Sequence, residues 1–453
     1  MKSKLILFLV CFCSYTIPLF AQSELIILKG GTILDLDDFG KSAHDLRKSI
    51  VQIRNGKILS VSPEGKVKIP KEARVMDIAG AYLIPGLIDG FGSVANQRFA
   101  NAYLYTGVTS VVTVEDERRG KTFLNASPSP TLYKLDEFGG ADRIVIDSSK
   151  EIYKNVNYRT GNQIKWEIDS MVQERANVML IHYGVKNEQL PVIVAVSKAN
   201  RLPTIGELGF STYAKAVESG INSFVHTSRY SADILPDSVR EAYSNAPFGK
   251  PGSFFYQYIN SQQLTKNQKL LELADTYGKN KVGLMPTGSL LVYPYLPSSH
   301  NPWEEKAASL IDDKDIIHLP LDRKTGKPIS PPPFRAKAAK ALLSIDSIFA
   351  KKGAHFLTGS GATAFGTLPG ISLYTELEYL SALGLTNREV LAAATTNFSV
   401  LWNWNQLGKI EAGRDADILV LPNNPLDSLT NLKKIRYLIL KGKIIDREGL
   451  LKR

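Results

Sequence analysis

The residues best suited to chemistry in this chain are a few histidines and carboxylates that close short apolar runs. His226 ends Ser223-Phe224-Val225, His182 ends Val178 to Ile181, Glu207 follows Thr204-Ile205-Gly206, and Glu115 and Asp116 end Thr109 to Val114. Two histidines with carboxylates make a donor set for a hard or borderline divalent metal. A His226–Glu207 pair can instead pass a proton as acid and base. Each residue also has an ordinary use, as a hydrogen-bonded histidine or a solvated carboxylate. The other histidines are less promising. His44 lies in an N-terminal β segment, His300 and His318 in a proline-rich stretch, and His355 at the start of an apolar strand.

Those runs must be positioned by something, and the middle of the chain supplies it. From about 85 to 410, short β-branched runs alternate with helical stretches. The runs are Thr109 to Val114, Arg143 to Ile146, Val178 to Ile181, Val192 to Val196, Ser223 to Val225, Val282 to Met285 and His355 to Thr358. Helices are expected over Lys165 to Ala176, Ser211 to Ser219, Asn267 to Tyr277, Arg335 to Lys351 and Ile371 to Leu380. Repeated β-then-α over this length predicts an α/β fold, a TIM-like (β/α)8 barrel rather than an open sheet. Residues 286–334 break the rhythm with many prolines and read as a long loop or insertion. Residues 22–84 and 411–453 read as short strands, with Asn55-Gly56 as a hairpin turn. The two ends are expected to form one small β-sandwich domain.

Residues 1–21 read as a secretory signal peptide: Lys2 and Lys4, an apolar stretch from Leu5 to Phe20, then Ala21. Export to the periplasm or outside follows, with no membrane span after removal. Cys11 and Cys13 are the only cysteines. The mature chain would hold no disulfide, thiolate metal site or cysteine nucleophile. Its formal charge would fall from +11 to +9 with the loss of two lysines. The remaining lysines and arginines are scattered, without the basic run and interleaved aromatics that track a nucleic acid.

Several strings carry a family resemblance. They are Lys29-Gly30-Gly31-Thr32-Ile33-Leu34-Asp35, Tyr82-Leu83-Ile84-Pro85-Gly86-Leu87-Ile88-Asp89, Gly107-Val108-Thr109-Ser110, Ala392-Ala393-Ala394-Thr395-Thr396-Asn397 and Gly408 to Ile418. In this order they resemble the amidohydrolase superfamily, in the branch of imidazolonepropionase-like and prolidase-like enzymes, over nearly the whole mature chain. The resemblance implies one or two divalent metals, usually zinc, that activate a water. Their ligands would stand at the ends of barrel strands.

Position by position, the ligands are mostly replaced. Phe91 and Ser93 stand where the first strand of the family carries two histidines, and the two positions face the same way. Leu180 takes the bridging lysine position, Gly206 that of the next histidine, and Ser360 that of the final aspartate. Only His226 is kept. A zinc site wants three or four donors, so the resemblance implies no resident metal. His182, two residues beyond Leu180, also faces inward and joins His226 and Glu207 as a candidate catalytic residue. Ser93 and Ser360 lie outside any nucleophile-elbow string. The expectation is therefore a non-catalytic amidohydrolase-like protein that binds a small molecule, or partners a second copy or an active relative. The alternatives are a carbon–nitrogen hydrolase with a rebuilt zinc or other divalent site, and a metal-free lyase or isomerase using His226 and Glu207.

Overall fold

The computed structural model describes residues 24–115, 119–139, 159–245, 251–260, 263–296, 300–316, 322–331 and 333–452. The stretch 1–21 read as a signal peptide, Arg143 to Ile146, Asp116 and His318 lie outside these residues. No described helix is long and apolar enough to cross a membrane.

Strands from both chain ends make one eight-stranded sheet. Its first part is β1 (Ile26–Ile33), β2 (Leu46–Arg54), β3 (Lys57–Pro63), β4 (Arg74–Asp77) and β5 (Tyr82–Pro85). Asn55 and Gly56 turn β2 into β3 with φ of 54° and 77°. This is the left-handed backbone that such a two-residue hairpin requires.

The barrel follows: β6 (Leu87–Gly92), β7 (Val108–Thr113), β8 (Thr131–Phe138), β9 (Val178–Ile181), β10 (Thr204–Gly206), β11 (Ser223–Val225), β12 (Gly283–Met285) and β13 (His355–Phe356). All pair in parallel and in chain order. The two outer edges meet just past β13. Gly90 N donates to Thr358 O at 2.9 Å, and Thr358 Oγ1 donates to Ile88 O at 2.7 Å. After the barrel, β14 (Ile418–Leu421), β15 (Tyr437–Leu440) and β16 (Lys443–Ile445) return to the end sheet, β14 antiparallel to β5.

One expected strand is a helix, and one strand lies outside the expected runs. Val192 to Val196 is not a strand but part of a helix, Leu190–Ala199, that opens with Pro191 in its first turn. Proline there is preset for helix. Burying Leu190, Ile193, Val194 and Ser197 on one side outweighs the β preference of its valines. A strand outside the expected runs follows β7, at Thr131–Phe138. Its apolar residues alternate: Tyr133 and Leu135 join the interior cluster, while Phe138 packs outside. The expected helices are present as Gly161–Gln173, Tyr213–Ser219, Gln268–Lys279, Pro333–Lys351 and Ile371–Ala382.

One apolar cluster fills the barrel. Ile88, Phe91, Val112, Val114, Val178, Leu180, Ile205, Val225, Met285 and Leu357 point inward. Trp402 and Trp404 belong to the same cluster, on the side where the strands begin. There Trp402 Nε1 donates to Ser223 Oγ at 3.1 Å, and Trp404 stacks on Tyr133. With that end filled, strand-end side chains are presented at the opposite, C-terminal mouth.

Candidate functional site at the barrel mouth

Strand parity decides which residues face the mouth. On β9, Val178 and Leu180 are interior, so His182 continues the inward row. On β10, Ile205 is interior, so the next inward position is Glu207. Gly206 faces the other way: a Cβ added there would stand 2.7 Å from the Phe224 ring and 3.0 Å from Ile221, in the layer between barrel and helices. The position assigned to a lost histidine therefore lies outside the mouth, and Glu207 holds the inward place.

Glu207, His182, His226 and Phe91 come together. His182 Nε2 lies 3.8 Å from Glu207 Oε2, and the Phe91 ring meets His226 edge-on at 5.3 Å. His226 Nδ1 is 2.7 Å from Thr287 Oγ1. His226 itself has φ of 66°, a left-handed conformation costly for a branched-free but bulky residue. Its backbone N donates to Met285 O at 2.9 Å and its carbonyl accepts from Arg229 N at 2.7 Å. The chain therefore turns sharply as it leaves β11, into a single helical turn, Thr227–Tyr230. Asp346 braces that turn from the helix Pro333–Lys351, accepting from Thr227 Oγ1 at 2.6 Å and Tyr230 OH at 2.7 Å.

The turn delivers Arg229 into the mouth. Its Nε donates to Glu207 Oε1 at 3.1 Å. Its Nη1 donates to Tyr183 OH at 3.3 Å and Tyr243 OH at 3.4 Å. The guanidinium also lies over the Tyr183 ring at 5.2 Å. Burial works against charge on Glu207, but His226 when protonated, Arg229, His182 when protonated and Arg119 hold its carboxyl below the usual range. Burial also pushes the His226 imidazole down to about 4, against the pull of Glu207 and with help from Arg229 and Arg119. At neutral pH the site thus holds an ionised glutamate, a neutral histidine and a fixed guanidinium. Arg119 adds a second cation, 6.0 Å from the Phe91 ring centroid.

The two serines serve the wall. Ser360 Oγ donates to Asp89 Oδ2 at 2.5 Å and Ser360 N to Asp89 Oδ1 at 2.9 Å, all fully buried. Ser289 Oγ donates to Ser360 O at 2.9 Å. Ser93 is buried beside them, its backbone N donating to Tyr103 OH at 3.4 Å. Leu180 and Phe91 belong to the interior cluster. Glu115 accepts from Thr122 N at 2.8 Å on the exposed rim. His355 stacks on Phe39 at the opening end of β13, and His300 is bonded to Glu378 at 2.6 Å, both apart from this group. Sequence reasoning missed Arg229, Arg119, Tyr183, Tyr243 and Asp346. The one available signal was the placement of Arg229 in the short link after β11, three residues beyond His226.

The mouth does not fit a divalent metal. Phe91 offers no donor, and a guanidinium already holds the carboxylate that a cation would use. Among the described residues, no group of three or more His, Cys, Asp or Glu is placed to hold a metal ion.

Comparisons with known proteins agree with the fold. Residues 308–445 match the model described as Amidohydrolase family. A Xaa-Pro dipeptidase with methionine bound in its active site superposes with a TM-score of 0.58 at 16% identity, covering 93% of this chain and 100% of that one. The ochratoxinase of A. niger gives 0.59 at 15% identity, covering 93% and 96%. A bottromycin amidohydrolase gives 0.61 at 16%, covering 94% and 87%. Comparison with curated proteins finds none that matches.

Proposed function

We propose that this chain, an amidohydrolase-superfamily protein by its barrel-and-sheet fold and by the match over residues 308–445, binds a small molecule at its barrel mouth without a resident metal and without metal-dependent hydrolysis. The observation that carries this reading is the Arg229–Glu207 ion pair at 3.1 Å. A positive charge that would repel a dication occupies the carboxylate best placed to bind one. The largely buried pair loses its compensation if either partner leaves, so it is not a casual contact. Export through the leader at residues 1–21, and association with a second copy or an active relative, belong to the same proposal. Mass spectrometry of the N-terminus and light scattering check them.

The test is elemental analysis of the mature protein after gel filtration. The expected zinc and manganese content is far below one equivalent. Stoichiometric metal would overturn the reading. A second reading has one observation in its favour: His182, Glu207 and His226 do converge. It is an active carbon–nitrogen hydrolase with a reduced metal site, and it predicts bound metal that His182→Ala and His226→Ala each release. The metal-free lyase or isomerase is disfavoured by charge. Glu207 and His226 are both held without a proton at neutral pH, so the pair lacks an acid.

A further inference from the structure

We propose that Thr287 fixes His226 in the tautomer protonated at Nδ1, so that Nε2 opens on the mouth as a hydrogen-bond acceptor and the ligand presents a neutral O–H or N–H donor to it; this rests on the metal-free reading above and deepens it. The assignment follows from counting protons. Thr287 Oγ1 stands 2.7 Å from His226 Nδ1 and 2.6 Å from Pro286 O. The hydroxyl carries one proton and can donate only once. Given to Nδ1, that proton leaves Thr287 Oγ1 and Pro286 O facing each other at 2.6 Å with nothing between the two oxygens. Given to Pro286 O, it leaves Oγ1 as an acceptor, and both short contacts are satisfied when Nδ1 carries the proton of the ring. The bond made by one ring nitrogen sets the state of the other. Nε2 then carries a lone pair.

Neither partner is free to turn away. Thr287 is fully buried, so its hydroxyl has no bulk solvent to bond. Its backbone is held with φ of 52°, and its carbonyl accepts from Leu290 N at 3.0 Å. Ser289, two residues on, is tied through its backbone N to the buried Glu376 at 2.8 Å. His226 is held by its backbone bonds to Met285 and Arg229. Its Nε2 differs from Nδ1. Among the described residues it has no hydrogen-bond partner, and it is not one of the buried atoms left without one. The residue is half-buried, and this nitrogen reaches the open space. The neighbouring acceptor, Glu207, is already taken by Arg229 Nε. A neutral acceptor without a partner selects for a donor and asks for no charge on the ligand. The Phe91 ring meets the same imidazole at 5.3 Å, so a flat apolar group behind the donor suits the place.

The experiment is nitrogen-15 NMR of the histidine-labelled mature protein at pH 8, where even an unperturbed imidazole is neutral. Spectra are taken before and after EDTA treatment, and His226→Gln assigns the signal. His226 is expected to show a protonated Nδ1 and a lone pair on Nε2 in both samples. Thr287→Val removes the hydroxyl and should move the proton to Nε2, while Thr287→Ser should restore the parent pattern. The same samples are titrated with phenol and with anisole, which lacks the donor. Phenol is expected to bind the parent about threefold to tenfold more tightly, the range of one neutral hydrogen bond, and to lose that margin in Thr287→Val. A protonated Nε2 in the parent, an unchanged tautomer in Thr287→Val, or phenol binding no better than anisole, with no binding of either included, overturns this proposal alone. A tautomer or a phenol affinity that changes on EDTA treatment means that a metal held Nε2, and overturns the proposal together with the metal-free reading. If thermal melting shows that Thr287→Val does not fold, the parent spectrum and the phenol–anisole pair still decide.

Discussion

Asp346 lies fully buried beneath the turn that carries His226 and Arg229, and its replacement by asparagine tests whether that turn is braced as described. The carboxylate accepts from Thr227 Oγ1 at 2.6 Å, Tyr230 OH at 2.7 Å and Tyr379 OH at 2.6 Å. Burial pushes its carboxyl from 3.8 up to about 6, against the three hydroxyls, which favour the charged form. Between these values the folded protein keeps a proton that the unfolded chain has released. Stability from this group is therefore complete below pH 3.8, falls as pH rises, and reaches its floor above about 6. A shift of about two units amounts to about 3 kcal/mol. Asparagine has the same shape and does not titrate. Urea unfolding followed by tryptophan fluorescence, run on parent and Asp346→Asn at matched pH, cancels the titrations common to both. The stability of the parent relative to the variant should fall by about 3 kcal/mol between pH 4 and 7. A difference that stays flat across that range would refute the buried, hydroxyl-bound carboxylate and the brace built on it.

Other consequences follow from the same geometry. His226, pushed down to about 4 by burial, contributes stability above pH 6.5 that is lost as pH falls toward 4; His226→Gln should flatten the acid limb of the stability curve by about 3 kcal/mol, and an unchanged limb counts against its burial. Its imidazole should also remain neutral by nitrogen-15 NMR at pH 5.5, where an ordinary histidine is mostly protonated. Gly206→Ala places a methyl against Phe224 outside the barrel and should cost about 1–3 kcal/mol in urea midpoints while leaving mouth ligands unaffected. A change in ligand affinity without one in stability would mean that Gly206 faces inward.

The architecture is legible in local patterns of the chain. Strings such as Tyr82 to Asp89 and Gly408 to Ile418, with the β-then-α rhythm between them, are local patterns, so they could be read without contacts. The sequence also shows that Phe91 stands where a donor is expected, because that residue directly follows an unmistakable string. Secondary structure was least legible where local preference and burial disagree, as in Leu190–Ala199 and Thr131–Phe138. The electrostatic content of the mouth depends on long-range contacts. Gly206 and Glu207 are neighbours in sequence, and strand parity alone sends one outward and the other in. Arg229 reaches Glu207 across 22 residues because β11 ends in a left-handed turn at His226. That turn is pinned by Asp346, more than a hundred residues away, and no local pattern encodes a bond of that span.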